Sequence, residues 1–443
     1  MSKYRLDAAP GAPYIQTPMR YDTLIPLVFI LFFALEFILE RALAGLNVRH
    51  VKANASAVPA SLQGIVDPET HRKSVAYTLA RASFGHIAAL ENAGIALLFL
   101  FSGILPWLSA QTARLVPNEL LSGAVFLLVF SFVGALIGTP LDLYNTFKIE
   151  AKFGFNTSTF GMWIMDRFKG GILATVLGVP LIFALIWLIL HTGSLWWLWA
   201  ALFMIAFQLL MFILYPMLIA PLFNTFMPLE DGELRRALNA LAQRCAFGTS
   251  GIFVMDGSRR SAHSNAYFTG IGSARRIVLF DTLIEQLSTV ELTAVLAHEI
   301  GHYKLRHIPK SMLLACGMML GGFYALNLVL HWPPLYAAFG GGMWPADSHT
   351  PLGVAQGLAL CSLIAGPLTF WSGPFFNALS RKHEYEADAY ASAQTDTQSM
   401  AGALLKLSEK NLSNLTPHPL FSAYHYSHPA LIERLDAIKC GTA

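Results

Sequence analysis

Charge is scarce in this sequence. Asp, Glu, Lys and Arg make up 13% of its 443 residues, where a soluble domain carries about 25%. A single soluble globular fold is therefore excluded. Disorder is excluded too, because it needs high charge and low hydrophobicity. The two signs nearly cancel, with 30 Lys and Arg against 27 Asp and Glu. No strong field draws nucleic acid to the chain, and none is expected as a partner. Cysteine is equally scarce. Cys245, Cys316, Cys361 and Cys440 lie far apart and form no CxxC pair, which argues against a disulfide framework or a cysteine-rich zinc site. Two of them fall inside apolar runs and read as buried small hydrophobes. There is no glycine period, which excludes a collagen-like chain, and no internal repeat is visible. A cleavable signal peptide is not expected: about 20 polar, proline-containing residues precede an apolar run too long for a signal core.

What the chain has instead is apolar length. Hydrophobic residues are 55% of it, and the mean hydropathy is +0.51, the composition of a polytopic membrane protein. A span needs roughly 20 mainly apolar residues. Seven such runs are expected, near 24–46, 87–108, 120–144, 172–190, 195–223, 311–330 and 352–379. The fourth and fifth are separated only by His191, Thr192, Gly193 and Ser194, a tight helical hairpin. Basic residues set the orientation. Arg49, Lys52, Arg72, Lys73 and Arg81 follow span 1, and Lys148, Lys152, Arg167 and Lys169 follow span 3. More follow span 5, and Arg381, Lys382, Lys406, Lys410, Arg434 and Lys439 follow span 7. The loop after span 2 has Arg114 alone, and those after spans 4 and 6 have none. The tail is therefore expected in the cytosol and the N-terminus outside, although Lys3, Arg5 and Arg20 dissent mildly. Glu36, Glu40, Glu91 and Asp142 lie in or beside spans. They require either a wet intramembrane cavity or interhelical ion pairs.

Two stretches are polar enough to fold in water, which divides the chain into four. Residues 1–223 hold the N-terminal segment and spans 1–5. Residues 224–310 form a cytosolic segment, 311–379 hold spans 6 and 7, and 380–443 form a cytosolic tail. In the second part, 230–245 reads as an amphipathic helix with Leu234, Leu238 and Leu241 on one face. Strands are expected at 252–255, 264–268 and 276–280, punctuated by Gly257, Gly270 and Gly272. Ser288 followed by Glu291 is a capping box, opening a helix that runs through His298 and His302 towards His307.

That helix carries His298-Glu299-Ile300-Gly301-His302, an HExxH motif. Residues i and i+4 share one helix face, so both imidazoles can bind a single Zn²⁺. Glu299 stands beside them, able to take a proton from water that zinc makes acidic near pH 7. A catalytic zinc needs a third protein ligand and one open position. The run Ser380–Asp388 offers it. Read as a helix, it puts Glu384 and Asp388 on one face. Glu384 could bind the metal while Asp388 accepts a bond from a ligand histidine's second N–H. Glu386 points about 160° away from Glu384, so both cannot be ligands, and residue chemistry leaves the choice open. His383 is a weaker candidate. Ser261–Phe268 reads as an exposed strand able to pair with an extended peptide, with Asn265 placed to bond its backbone. His425-Tyr426-Ser427-His428-Pro429, followed by Glu433 and Arg434, could bring a group that steadies a tetrahedral oxyanion.

Together these residues resemble the CAAX prenyl protease 1 family of zinc-dependent integral-membrane endopeptidases. The resemblance rests on HEIGH at 298–302, S-R-x-x-E-x-x-A-D at 380–388, HSNAYF at 263–268, SHPALIERL at 427–435, EAKFGFN at 150–156 and the seven spans. It runs from span 1 to Leu435. It implies one Zn²⁺ per chain held by His298, His302 and Glu384, with Glu299 as general base and acid. It implies Asp388 as an orienting partner, and His428 with Arg434 as groups supporting the reaction centre. Asn265 would contact the substrate backbone, and its neighbours His263 and Ala266 are expected to bind substrate with it. It further implies a mainly α-helical membrane protein: seven tilted helices around a water-filled chamber, with a cytosolic protease domain containing a small β-sheet. Such a chamber would accommodate Glu36, Glu91 and Asp142. The family removes the last three residues from prenylated CAAX proteins, and some members make a second cut upstream. The partners expected are a peptide or protein substrate, prenylated in the family's manner, and the lipid bilayer; the chain itself is read as a monomer. The end Gly441-Thr442-Ala443 has no dilysine-type retention signal, so a bacterial inner membrane is expected rather than the endoplasmic reticulum, and a host that makes no prenylated protein would require another substrate.

Two other functions compete. A membrane quality-control protease would cut unprenylated substrates. A metal transporter would use the intramembrane acids and the histidine pair, but it needs ligand pairs inside the spans, where histidines are few. A single HExxH on a cytosolic helix fits hydrolysis better.

Overall fold

The computed structural model describes residues 21–270, 275–339 and 349–440. Lys3, Arg5, Arg20, Gly272 and Gly441-Thr442-Ala443, all used above, lie outside the described residues. The membrane part begins with α1 (Tyr21–Ala53), α2 (Pro68–Phe101), α3 (Ile104–Leu115), α4 (Glu119–Tyr144), α5 (Phe160–His191) and α6 (Trp196–Leu214). A π-helical segment and α7 (Ala220–Phe223) lead into strand β1 (Phe226–Pro228) and α8 (Glu233–Arg244). Strands β2 (Gly251–Met255), β3 (Ala266–Thr269) and β4 (Arg276–Phe280) follow, then α9 (Asp281–Gln286) and α10 (Thr289–Lys304). The chain returns to the membrane with α11 (His307–Val329), α12 (Pro333–Ala338) and α13 (Pro351–Thr369). It ends with α14 (Gly373–Gln394), α15 (Thr397–Lys410), α16 (Pro419–His425) and α17 (Leu431–Cys440).

Among the described residues, seven helical stretches are long and apolar enough to cross a membrane. All seven expected spans are among them, but their ends differ for physical reasons. Span 2 begins at Pro68 and stops at Phe101 rather than running from 87 to 108. Asp67 caps its start by accepting the Thr70 N–H at 3.0 Å, with Pro68 at the first position, where its missing N–H is harmless. Gly103 ends it: φ is 78° there, a left-handed value that residues with a Cβ avoid. Span 7 continues past the membrane. A single 3₁₀ turn, Phe370–Ser372, joins α13 to α14, and the helix runs on to Gln394.

Two hydrophobic cores sit at opposite ends of the molecule. One gathers Phe99, Leu105, Phe126, Ile186, Trp196, Leu330, Phe339 and Leu360 around the loops after spans 2, 4 and 6. The other gathers Leu238, Ile277, Leu279, Leu283, Leu292, Leu296 and Leu435 under the sheet. Between them little is buried. α5 buries only Ile186 and Ile189, α6 buries nothing after Ala201, and α11 buries nothing after His307. A close-packed bundle would bury a stripe along every helix, so these three spans are only loosely packed along their middles. Some of the intramembrane charges are paired. Asp142 accepts the Trp163 indole N–H at 2.9 Å and pairs with Arg167, both on α5. Glu40 lies 3.5 Å from Arg41 and 3.8 Å from His425 of α16.

The sheet has the order β1-β2-β4-β3, with β2 and β4 parallel and the outer pairs antiparallel. β4 lies where expected, β2 starts one residue earlier, and β3 is shifted to 266–269. β1 went unread because three residues are too few for an alternation to show. Strand β3 is left as an edge.

Candidate active site

The HExxH helix is well started. The Ser288 hydroxyl accepts the Glu291 N–H at 3.4 Å, and the Glu291 carboxylate accepts the Ser288 N–H at 2.8 Å, closing the expected capping box. α10 then lies against α14 along a seam of small residues. Gly301 faces Ala387 and Tyr390, and Ala294, Ala297, Gly301, Ala387 and Ala391 are all buried. A Cβ at Gly301 would stand 3.2 Å from the Ala387 Cα and from the Tyr390 Cβ. Glycine is therefore what lets the two helices come this close.

That approach brings together side chains more than 80 residues apart in sequence. The His298 and His302 Nε2 atoms are 3.1 Å apart. Glu384 places Oε1 3.4 Å from His302 Nε2 and Oε2 3.6 Å from His298 Nε2. Ligands about 2.0–2.1 Å from a tetrahedral ion stand roughly 3.3 Å from one another; the histidine pair is close to that spacing, with one oxygen of Glu384 beside each ring. No other trio of His, Cys, Asp or Glu among the described residues brings its ligand atoms within 4.8 Å. Glu386 is not with them: it meets His307 Nε2 at 2.9 Å. His383 stacks on His307 with ring centroids 4.1 Å apart.

The trio is held from behind. His298 Nδ1 lies 2.8 Å from Asp388 Oδ1. Arg434 donates to both oxygens of that carboxylate, at 2.7 and 2.5 Å. Its third nitrogen lies 3.6 Å from Glu384. His428 Nδ1 is 2.8 Å from Glu384 Oε2, and this carboxylate raises the imidazole pKa above its ordinary value. Glu299 is pushed up by burial, against the pull of the two motif histidines.

His298, Glu299, Glu384, His428 and Arg434 line one cavity of about 170 Å³ together with Ser264, Asn265 and Ala266. The Asn265 carbonyl accepts the Phe280 N–H at 3.1 Å, so the Asn265 backbone faces β4 and its neighbours' backbone faces the cavity edge. The Ala266 N–H is taken by the Asn265 side chain at 2.8 Å. His263 is placed differently. Its ring stacks on Phe155 at 4.0 Å, with Nδ1 2.9 Å from Asn411 and Nε2 3.5 Å from Glu150. It lines a second cavity with Tyr77, Arg81 and Glu150. The EAKFGFN segment thus buttresses the strand: Ala262 N–H donates to Phe155 at 3.0 Å, and Tyr77 and Arg81 hold Glu150. Sequence reading gave Asn411 and His307 no part in this constellation and weighed Glu386 only as an alternative metal ligand. Only the repeat of histidine five residues after His302 hinted at one.

Residues 47–225 match the family model described as CAAX prenyl protease N-terminal, five membrane helices, and residues 228–440 match Peptidase family M48. A CAAX prenyl protease 1 homolog of Arabidopsis thaliana is 38% identical over 404 residues, covering 89% of this chain and 93% of the relative. CAAX prenyl protease 1 of Saccharomyces cerevisiae is 35% identical, covering 88% and 90%, and the Homo sapiens homolog is 32% identical with the same coverage. Among solved structures, the crystal structure of S. mikatae Ste24p superposes with a TM-score of 0.84 at 33% identity. It covers 95% of this chain and 100% of that one.

Proposed function

The chain belongs to the CAAX prenyl protease 1 family of M48 membrane metallopeptidases, and on that premise we propose that it cuts CAAX-type C-termini with one zinc ion held by His298, His302 and Glu384. The observation that carries this is the convergence of ligand atoms from those three residues within 4.8 Å of one another, with Glu299 and an open strand edge beside them. Bound there, zinc would supply Lewis acidity towards the scissile carbonyl and towards water. The chain's own residues do the rest. Ser264–Ala266 hold the peptide extended along the edge of β3, with Asn265 towards its backbone. Glu299 takes the proton of the attacking water and passes it to the leaving amine nitrogen. His428 and Arg434, both donors beside Glu384, offset the negative charge that builds up as the carbonyl is attacked. Asp388 keeps the His298 ring turned with Nε2 inward.

We place this site on the cytosolic side, because the basic loops and the soluble core share one end of the helices, and we read the chain as a monomer. A prenyl group on the substrate would lie between the spans, where α5, α6 and α11 bury almost nothing along their middles. The proposed setting is a bacterial inner membrane. The test is a cleavage assay on purified protein with a farnesylated CAAX peptide and its unprenylated twin. The expected result is cleavage of the farnesylated peptide, abolished by a zinc chelator and by Glu299→Gln, with zinc still bound in that variant. Equal cleavage of both peptides would favour the quality-control reading, and full activity of Glu299→Gln would remove that residue from the mechanism.

A further inference from the structure

The two histidines of the motif are turned towards the site by different devices, and the second involves residues the mechanism above does not use. His302 Nδ1 lies 2.9 Å from His307 Nδ1. His307 Nε2 lies 2.9 Å from Glu386 Oε2. A carboxylate only accepts, so the proton between His307 and Glu386 sits on His307 Nε2. Neutral His307 then keeps its lone pair on Nδ1. Of two facing ring nitrogens one must donate, so the proton between the rings belongs to His302 Nδ1. That leaves the lone pair of His302 on Nε2, the atom aimed at His298 Nε2 and Glu384. Only this tautomer can bind a metal at that point.

Local structure keeps the relay in place. Arg306 takes a left-handed turn, φ 59°, between the end of α10 and the start of α11. This sets His307 directly under His302. His307 is 3% exposed, and the stacked His383 ring covers its face. Glu386 sits at the surface of α14, with Lys382 Nζ 3.8 Å from its other oxygen.

We infer that His307 and Glu386 are positioning residues that fix the tautomer and ring orientation of His302, as Asp388 does directly for His298. The inference rests on the proposed role of His302 as a metal ligand. The experiment measures zinc affinity of the full-length detergent-solubilised chain by competition with a chromogenic chelator, beside thermal melts. The wild type is measured first. A wild type that binds no zinc overturns the metal reading itself, and with it this inference; one zinc per chain leaves the relay as the point in question. Losing an outer partner of a ligand histidine weakens binding about 10–100-fold, so His307→Ala is expected in that range and Glu386→Ala near the lower end. His307→Gln supplies an acceptor towards His302 and a donor towards Glu386, and is expected within about threefold of wild type. The double variant His307→Ala/Glu386→Ala is expected to lose no more than His307→Ala alone, because both act through one bond. Wild-type affinity in a folded His307→Ala overturns the relay. So does His307→Gln falling as far as the alanine variant, or losses that multiply in the double variant. If His307→Ala does not fold, His307→Gln against Glu386→Ala decides: affinity kept in the first and lost in the second supports the relay, and the reverse overturns it.

Discussion

Gly301→Ala tests whether the metal site depends on how closely α10 approaches α14. The added Cβ would stand 3.2 Å from the Ala387 Cα and 3.2 Å from the Tyr390 Cβ and Cδ1. Carbon atoms pack comfortably at about 3.5–4.0 Å, and the Ala387 Cα is backbone that cannot rotate away. The helices must part by roughly half an ångström. His302 follows Gly301 directly, and Glu384 is one turn before Ala387, so the donors separate by a similar amount. Metal–ligand distances tolerate only about ±0.2 Å. The expected result is zinc affinity lowered about tenfold or more, with turnover lowered in step. Stability changes less. Alanine gains about 1 kcal/mol over glycine in a helix, against an overpacking cost of about 1–3 kcal/mol. The net is a loss of up to about 2 kcal/mol. Gly317→Ala on α11 is the control, since its Cβ meets nothing within 4 Å and only the helix gain remains. Chelator competition and thermal melts on both variants decide the matter. A Gly301→Ala protein with wild-type zinc affinity and a raised Tm would refute the argument that this seam is at its limit.

Three further outcomes are expected. Arg434→Leu strips both donated bonds from Asp388, which is 1% exposed. Leaving one partner of a buried pair alone costs about 3–5 kcal/mol, read as a lower Tm and weaker zinc retention; an unchanged melt would contradict it. Burial raises the Glu291 carboxyl, but the Lys406 ammonium 2.7 Å away and the Ser288 cap outweigh it and hold the group below its ordinary 4.5. A depressed folded pKa stabilises above the unfolded value and is lost as pH falls through the folded one. The Tm gap between wild type and Glu291→Gln is therefore full at neutral pH and closes below pH 4.5, whereas a gap that persists there would show that the charge is not its source. Removing the metal with a chelator and dialysing it away should abolish cleavage and lower Tm, because a ligand that binds only the folded state stabilises it. Restoring zinc should return both, and activity that survives metal removal would exclude a metal-dependent reaction.

Spacing within one helix was readable from the sequence, and relations between helices were not. His298, Glu299 and His302 follow from an i, i+4 rule that holds on any helix, and the capping box marks where that helix starts. The Glu384 and Glu386 choice illustrates the limit. Both are reachable in principle, and helix geometry says only that they point apart. What separates them is where α10 lies against α14, a consequence of how closely Gly301 lets it approach Ala387 and Tyr390. The span ends were misjudged for a related reason. Hydropathy reports where lipid ends, while caps and left-handed glycines report where a helix ends. In span 7 the two differ by many residues, and Glu384 lies in the difference. The third donor is therefore carried on a continuation of a membrane helix, joined to it through one 3₁₀ turn. Any tilt of that span has a direct mechanical route to the position of Glu384 against the histidine pair. The metal site is thus a joint between the membrane part and the soluble part, and its geometry reports how the two are set.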